Sequence, residues 1–265
     1  MTTGAPDGDP VALRSPAMCR FFGGVMTRQM RGGFRAVRVL KPGLPTLPPD
    51  RPLIVYANHP SWWDPAFFIV LAVHLLGDRE SYGVMEAEAL ERYGFMKRIG
   101  LFGIDPAQRT GAVRFLRVGA HVLSDPRRML WVTAQGEFTD PRTRPVALRS
   151  GLAHLMGRVP NAVAVPLAVE YPFWSEKRAE ALCAFGPPIE AGGTTEGMQA
   201  ALTDALCGTM DRLRDAAMGR DPIAFDRLAV GRRGTGGVYG LWSRARAIAS
   251  GRRYDGDHLQ DPTGR

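Results

Sequence analysis

Short apolar segments bounded by turn-forming residues recur along the chain and limit its possible folds more than any other feature. The clearest is LIVYA at 53–57, which follows the proline-rich stretch 41–52. An apolar run of this length, without polar alternation, is typical of a strand buried on both faces of a parallel sheet. Similar runs predict further strands at 34–40, 81–85, 128–134, 161–171 and 180–186.

Segments with apolar residues at helical spacing lie between several of these strands. This spacing predicts helices at 65–76, 109–123, 150–158 and 194–218. Strands that alternate with helices indicate an α/β fold with a mostly parallel central sheet flanked by helices, and 265 residues suit a single domain of this class. In such folds the catalytic residues lie in loops at the carboxyl ends of strands.

Basic residues are concentrated in two flanks around a near-neutral middle. The net charge is +8, and residues 11–49 and residues 227–254 each contain seven basic side chains and no acid. Aromatic and aliphatic residues accompany the bases in both flanks, which is typical of helices that lie on an anionic membrane. The predicted parts are a tail and amphipathic membrane-surface segment at 1–33, the domain at 34–225 and a basic amphipathic flank at 226–265. The Gly23-Gly24 pair is expected to break a helix at 17–33. One alternative stays open: 238–249 would either enter the membrane interface or pack on the domain.

Cysteine content and hydropathy indicate the compartment. The three cysteines form no CxxC pair, which argues against a disulfide framework and a cysteine-based zinc site. The longest apolar run, 65–77, is shorter than the roughly 18 residues of a spanning helix. The first ten residues lack the basic start of a secretory signal. We expect a cytoplasmic protein, peripheral on the inner face of the cell membrane.

A histidine and an aspartate lie five residues apart where the strand at 53–57 ends and the next helix begins. They are His59 and Asp64 within Asn58-His59-Pro60-Ser61-Trp62-Trp63-Asp64. An imidazole can take a proton from an attacking hydroxyl near neutral pH, and a carboxylate can fix its tautomer and stabilise the imidazolium. The alternative is structural, since Asp64-Pro65 also matches a helix N-cap followed by proline at the first helical position.

Four segments, in this order, resemble the glycerolipid (PlsC-like) acyltransferase superfamily, which includes the lysophosphatidic acid acyltransferases. They are Asn58-His59-x4-Asp64, Gly100-Leu101-Phe102-Gly103-Ile104-Asp105, Gln135-Gly136-Glu137 and Val165-Pro166-Leu167. The resemblance implies a glycerolphosphate-acyltransferase-like fold, with His59 as general base and Asp64 as the carboxylate that orients it. It also implies transfer of a fatty acyl group from acyl-CoA or acyl carrier protein to a lysolipid or glycerol-phosphate-type hydroxyl. No metal or bound cofactor is implied.

The sequence departs from the family where the acceptor phosphate is held. Pro106 stands where the family has an arginine after I-D, and Gln135-Gly136-Glu137-Phe138 stands at the place of E-G-T-R. Nearby arginines would replace the lost cations, or the acceptor carries another headgroup to which Glu137 hydrogen-bonds. The expected substrate-binding residues are Asn58, Arg109, Gln135, Gly136, Glu137, Arg142 and Arg144, with Arg149 as a further candidate.

Two other classes of function remain open at this point. A hydrolase would use the same His–Asp pair to activate water on a thioester or ester. A nucleic-acid-binding protein would explain the high isoelectric point near 9.9, but the flanks contain no recognisable nucleic-acid motif, so no nucleic-acid partner is expected.

Overall fold

The structure is a computed structural model that describes residues 8–231. The predicted segment 238–249 and most of the C-terminal flank lie outside these residues. The helices of the described part are α1 (Pro10–Leu13), α2 (Pro16–Gly33), α3 (Asp64–Leu75), α4 (Ala87–Arg92), α5 (Arg109–Val122), α6 (Gly151–Arg158) and α7 (Thr195–Gly219), with 3-10 helices at Gly94–Ile99 and Pro222–Ala224. The strands are β1 (Ala36–Leu40), β2 (Leu53–Ala57), β3 (Glu80–Glu86), β4 (Leu101–Ile104), β5 (Arg128–Thr133), β6 (Val163–Glu170), β7 (Ala181–Phe185), β8 (Ile189–Glu190) and β9 (Phe225–Val230).

The strands of residues 8–231 form one mixed sheet in the order β4-β3-β5-β2-β6-β7-β1-β9, with the short β8 paired to β6. Neighbours from β4 to β6 run parallel, and so do β7 and β1. The β6–β7, β1–β9 and β6–β8 pairs are antiparallel. The predicted α/β class with a mostly parallel central sheet flanked by helices is therefore confirmed.

Two hydrophobic cores lie on opposite faces of this sheet, and β2 contributes to both. Ile54 and Tyr56 face the core that α5, α6 and α7 cover. Leu53, Val55 and Ala57 face the core that contains α3 and the end of α2. This two-sided burial explains why the strand reads as a continuous apolar run, and it fixes the position of the loop that follows Ala57.

Helix α2 is continuous, so the expectation that Gly23-Gly24 breaks it is wrong. Ser15 caps its first turn by accepting the Met18 N–H at 3.4 Å, and Pro16 begins the helix. Gly23 lies against α3, where a Cβ atom would come within 2.9 Å of Val73 Cγ2. Close packing on α3 compensates for the weak helix propensity of glycine.

The predicted domain boundaries also change. Met30, near the end of α2, is completely buried, so the segment predicted as amphipathic at 17–33 packs on the domain. At the other end, β9 pairs with β1 along the sheet edge, so the predicted boundary at 225/226 falls inside a strand. The sequence pattern did not predict β9 as a strand, because Asp226 and Arg227 are charged and one side of this edge strand is exposed. No helix within residues 8–231 is long and apolar enough to cross a membrane.

Candidate active site

The candidate site lies at the carboxyl edge of three neighbouring parallel strands. The chain leaves β2 at Ala57, β5 at Thr133 and β6 at Glu170, and because β5 and β6 both run parallel to β2, their following residues meet at one edge. The loop after β2 carries His59 and leads directly into α3. The polar residues that follow β5 and β6 complete the surroundings of this loop.

The structure brings the side chains of His59 and Asp64 together. His59 Nδ1 lies 2.6 Å from Asp64 Oδ2. The Asp64 carboxylate is completely buried, whereas 17% of the His59 side chain is exposed. The imidazole therefore lies at the surface with its partner carboxylate behind it.

Three donors surround the Asp64 carboxylate. Its Oδ2 also accepts the Ser61 backbone N–H at 3.2 Å, and its Oδ1 accepts the Tyr171 hydroxyl at 2.6 Å. Helix α3 begins at Asp64, and Trp63 occupies the cap position without a side-chain cap hydrogen bond. The alternative that Asp64 is a helix N-cap is therefore wrong, because its oxygens bond the histidine loop and Tyr171.

This set of donors determines the chemistry open to His59. An ionised carboxylate only accepts hydrogen bonds, so Nδ1 carries the proton that it donates to Asp64. Neutral imidazole then has an unprotonated Nε2 with a lone pair for a substrate proton. The imidazolium formed after proton uptake would be stabilised by the adjacent buried carboxylate.

Asn58 and Gln135 hold the histidine loop in place. Asn58 is completely buried; its Nδ2 donates to the Val169 carbonyl at 3.0 Å and its Oδ1 accepts the Val169 N–H at 2.8 Å. The expectation that Asn58 binds substrate is therefore wrong, since both amide groups bond β6. Gln135 is buried, and its Oε1 accepts the His59 backbone N–H at 2.9 Å. Both residues therefore fix the backbone on the N-terminal side of His59.

The loop after β5 folds over the base. Gly136 has a φ of +74°, and a Cβ atom there would lie 2.2 Å from Arg149 Nε, so glycine is required for both conformation and space. The Thr139 N–H donates to the His59 carbonyl at 2.9 Å. The Phe138 ring lies 4.3 Å from the His59 ring between centroids and is 62% exposed. An apolar side chain thus borders the exposed part of the imidazole.

The arginines that follow in this loop already have partners within the chain. Arg142 pairs with Asp140 at 2.6 Å, and this hydrogen bond lowers the pKa of Asp140. Arg144 pairs with Asp211 of α7 at 2.5 Å, which likewise lowers the pKa of Asp211. Arg149 donates to the Pro106 carbonyl at 3.1 Å. Arg142 and Arg144 therefore each pair with an acid of the chain, whereas exposed Arg149 lies against Gly136 and uses one nitrogen on a carbonyl.

Glu137 and Arg109 are both exposed. Arg109 begins α5, beside a cavity of about 350 Å³ that lies next to the ends of β3 and β4. Thr110, Lys97 and Arg114 line this cavity together with Gly103-Ile104-Asp105 from the second family-like segment. Since β3 and β4 run parallel to β5, the cavity opens at the same sheet edge as His59.

Two contributors to the site were not predicted from the sequence: Tyr171, which bonds Asp64, and Phe138, which borders the imidazole. Asn58 was predicted, but with a binding role instead of the structural one. The only available signal for Tyr171 was that it directly follows the strand containing Val165-Pro166-Leu167.

Within residues 8–231, no group of three or more His, Cys, Asp or Glu side chains is arranged to hold a metal ion.

Comparison with known protein families finds no match to this chain, and comparison with curated proteins finds none either. The functional assignment therefore depends on the geometry of the site and on the sequence motifs.

Proposed function

We propose that this chain is an O-acyltransferase with a glycerolphosphate-acyltransferase-like fold, in which His59 is the general base and Asp64 orients it. The observation that carries the proposal is the 2.6 Å contact between His59 Nδ1 and a completely buried Asp64, with the imidazole itself partly exposed. The four family-like segments support it, and two of them form the site directly. One contains His59 and Asp64, and the other contains Gln135, which accepts the His59 backbone N–H.

The reaction is a direct transfer between an acyl thioester and a lipid alcohol. Nε2 of His59 takes the hydroxyl proton of the acceptor as its oxygen attacks the thioester carbonyl carbon. The tetrahedral intermediate then collapses, the carbon–sulfur bond breaks, and the departing thiolate takes the proton back from the imidazolium. Throughout, Asp64 holds Nδ1–H and offsets the positive charge on the ring. Acyl-CoA or acyl carrier protein supplies the thioester, and no protein nucleophile takes part.

The surroundings of His59 favour a lysolipid acceptor that presents its hydroxyl beside apolar groups. Phe138 touches the imidazole and Trp62 is 74% exposed three residues after His59. Arg142 and Arg144 of the 135–149 loop pair with Asp140 and Asp211. We further propose that the protein works on an anionic membrane surface, where such an acceptor resides.

The test is acyl transfer by the purified full chain. Thiol release from acyl-CoA and formation of acylated lipid are measured with and without a lysolipid acceptor. We expect thiol release to depend on the acceptor, His59→Ala to abolish it, and Asp64→Asn to lower kcat by roughly 10³- to 10⁴-fold, as in other His–Asp pairs. His74→Ala is the matched control, since His74 is exposed in the last turn of α3, at the opposite end of that helix from Asp64.

Two outcomes would contradict the proposal. Full transfer by a folded His59→Ala protein would remove the base. Thiol release that proceeds equally without any acceptor, and yields free fatty acid, would identify a hydrolase that uses the same pair.

A further inference from the structure

We propose that Tyr171 is a positioning residue of this site, which fixes the Asp64 carboxylate so that it holds His59 in one orientation. This inference rests on the proposed function in its kinetic part only. Its physical part, a hydrogen-bonded chain from Tyr171 through Asp64 to His59, concerns the protein without substrate and is tested separately.

Tyr171 contacts Asp64 although the two residues are 107 positions apart in the sequence. It is the first residue after β6, and its hydroxyl donates to Asp64 Oδ1 at 2.6 Å. Its ring packs near Phe34 and Phe67, at centroid separations of 5.3 and 6.0 Å. The hydroxyl is therefore directed by a phenol ring whose own position is set by aromatic packing.

The two oxygens of Asp64 have separate partners as a result. Oδ1 accepts from Tyr171, and Oδ2 accepts from His59 and from the Ser61 N–H. Without the tyrosine hydroxyl, Oδ1 would lose this partner in a completely buried position and the carboxylate would be freer to rotate. Rotation would shift the acceptor of the Nδ1–H bond and with it the direction of the imidazole.

Tyr171 remains a donor over the working pH range. Burial, followed by the adjacent Asp64 carboxylate, raises the pKa of Tyr171 well above its ordinary value, so the hydroxyl keeps its proton. The other titratable neighbour is Cys183, and burial raises the pKa of that thiol as well, so it stays neutral. The negative charge that faces the tyrosine hydroxyl is therefore that of Asp64.

The sign of the effect on proton uptake follows from charge balance. The Asp64 charge is neutralised by the ring when His59 is protonated and left uncompensated when His59 is neutral. Loss of the tyrosine donor therefore destabilises the state with neutral His59 more than the state with protonated His59. The loss thus favours protonation of the ring. In a Tyr171→Phe variant, proton uptake by His59 should therefore move to higher pH than in the unaltered chain.

The kinetic experiment compares Tyr171→Phe with Tyr56→Phe. The Tyr56 hydroxyl donates an equivalent buried hydrogen bond to the Leu202 carbonyl at 2.9 Å, which Tyr56→Phe removes. Tyr56 faces the opposite core. We expect Tyr171→Phe to lower kcat roughly tenfold to a hundredfold with little change in KM, and to move the acid limb of the pH profile upward. Tyr56→Phe should lower thermal stability without either change. In an Asp64→Asn background, Tyr171→Phe should add little further loss, because it acts through that carboxylate.

The physical experiment needs no activity. The His59 ring nitrogens are followed by NMR during a pH titration of the full chain, with the His59→Ala spectrum used to assign the signals. An upward shift of the His59 titration in Tyr171→Phe, absent from Tyr56→Phe, supports the chain even if no transfer is detected. An unshifted titration in a folded Tyr171→Phe protein, or full additivity with Asp64→Asn, would overturn the proposal.

Discussion

Asn58 shows how a single side chain couples the position of His59 to the sheet. It lies between β2 and His59, and its amide satisfies both the N–H and the carbonyl of Val169 on the neighbouring strand. The side chain therefore continues the β2–β6 pairing beyond the last residue of β2. The backbone of His59 begins from this fixed point and is held again by Gln135.

Asn58→Ala should lower the free energy of unfolding by about 2–4 kcal/mol, because it leaves two buried backbone groups of Val169 unpaired, at about 1–3 kcal/mol each. The measurement is urea denaturation. Asn161→Ala is the matched control, since Asn161 is exposed just before the start of the same strand, β6, and should change stability by less than about 0.5 kcal/mol. Equal stability of the two variants would show that the Asn58 amide is not needed to close the strand pair.

Sequence separation explains which site contacts could be predicted. His59 and Asp64 are five residues apart at a strand–loop–helix junction, so their proximity follows from local structure. Asn58 and Val169 are 111 residues apart, and Tyr171 and Asp64 are 107 apart. These contacts exist because β6 is the neighbour of β2, and hydrophobic patterns identify strands without giving their order in the sheet.

At the scale of elements, β1 is the strand whose sequence pattern is least typical of a buried position. Its Arg38 is only 3% exposed and pairs with the completely buried Glu180 beside β7 at 3.0 Å. Its guanidinium also lies 5.7 Å from the centre of the Trp174 ring. Pattern reasoning predicted β1 and β7 as strands, but nothing in their spacing indicated that this charge pair would be enclosed between them.

Arg38→Met should destabilise the fold by about 3–5 kcal/mol, because Glu180 would remain buried without the guanidinium that it bonds, while Met retains the contact with Trp174. Burial raises the pKa of Glu180 and Arg38 opposes this rise, so removing Arg38 raises it further. A carboxyl whose pKa is higher in the folded chain favours folding at low pH and loses this contribution as the pH rises through the folded value. The loss of stability should therefore be larger at pH 8 than at pH 5.

Chemical denaturation at both pH values measures this effect. Arg127→Met is the control, because Arg127 forms an exposed pair with Asp125 and should leave stability nearly unchanged at both pH values. A pH-independent loss in Arg38→Met would mean that packing, and not the charge of Glu180, accounts for the destabilisation.

At the scale of the whole molecule, the helical layer that contains α2 presents exposed arginines. Helix α2 lies on the same side of the sheet as α3. Six of its exposed residues recur at helical spacing: Ala17, Arg20, Phe21, Gly24, Arg28 and Arg31. Phe21 is 63% exposed, and its ring contacts Phe22, which stacks on Phe95 at 4.9 Å. An exposed basic stripe with an aromatic cluster beside it is typical of a surface that binds anionic lipid.

We expect the α2 stripe to carry much of the proposed membrane binding, and a triple variant with Arg20, Arg28 and Arg31 changed to Gln tests this. Each arginine near an anionic leaflet contributes about 1 kcal/mol, so the three changes should weaken binding to anionic liposomes roughly a hundredfold. The matched control changes Arg117, Arg158 and Arg220 to Gln on the opposite layer, which removes the same net charge from exposed positions. Flotation of the full chain with anionic vesicles should separate the two variants, and neutral vesicles should bind neither. Equal losses would make net charge responsible instead of this surface, and DNA retention that fell in parallel with flotation would return nucleic acid as the partner.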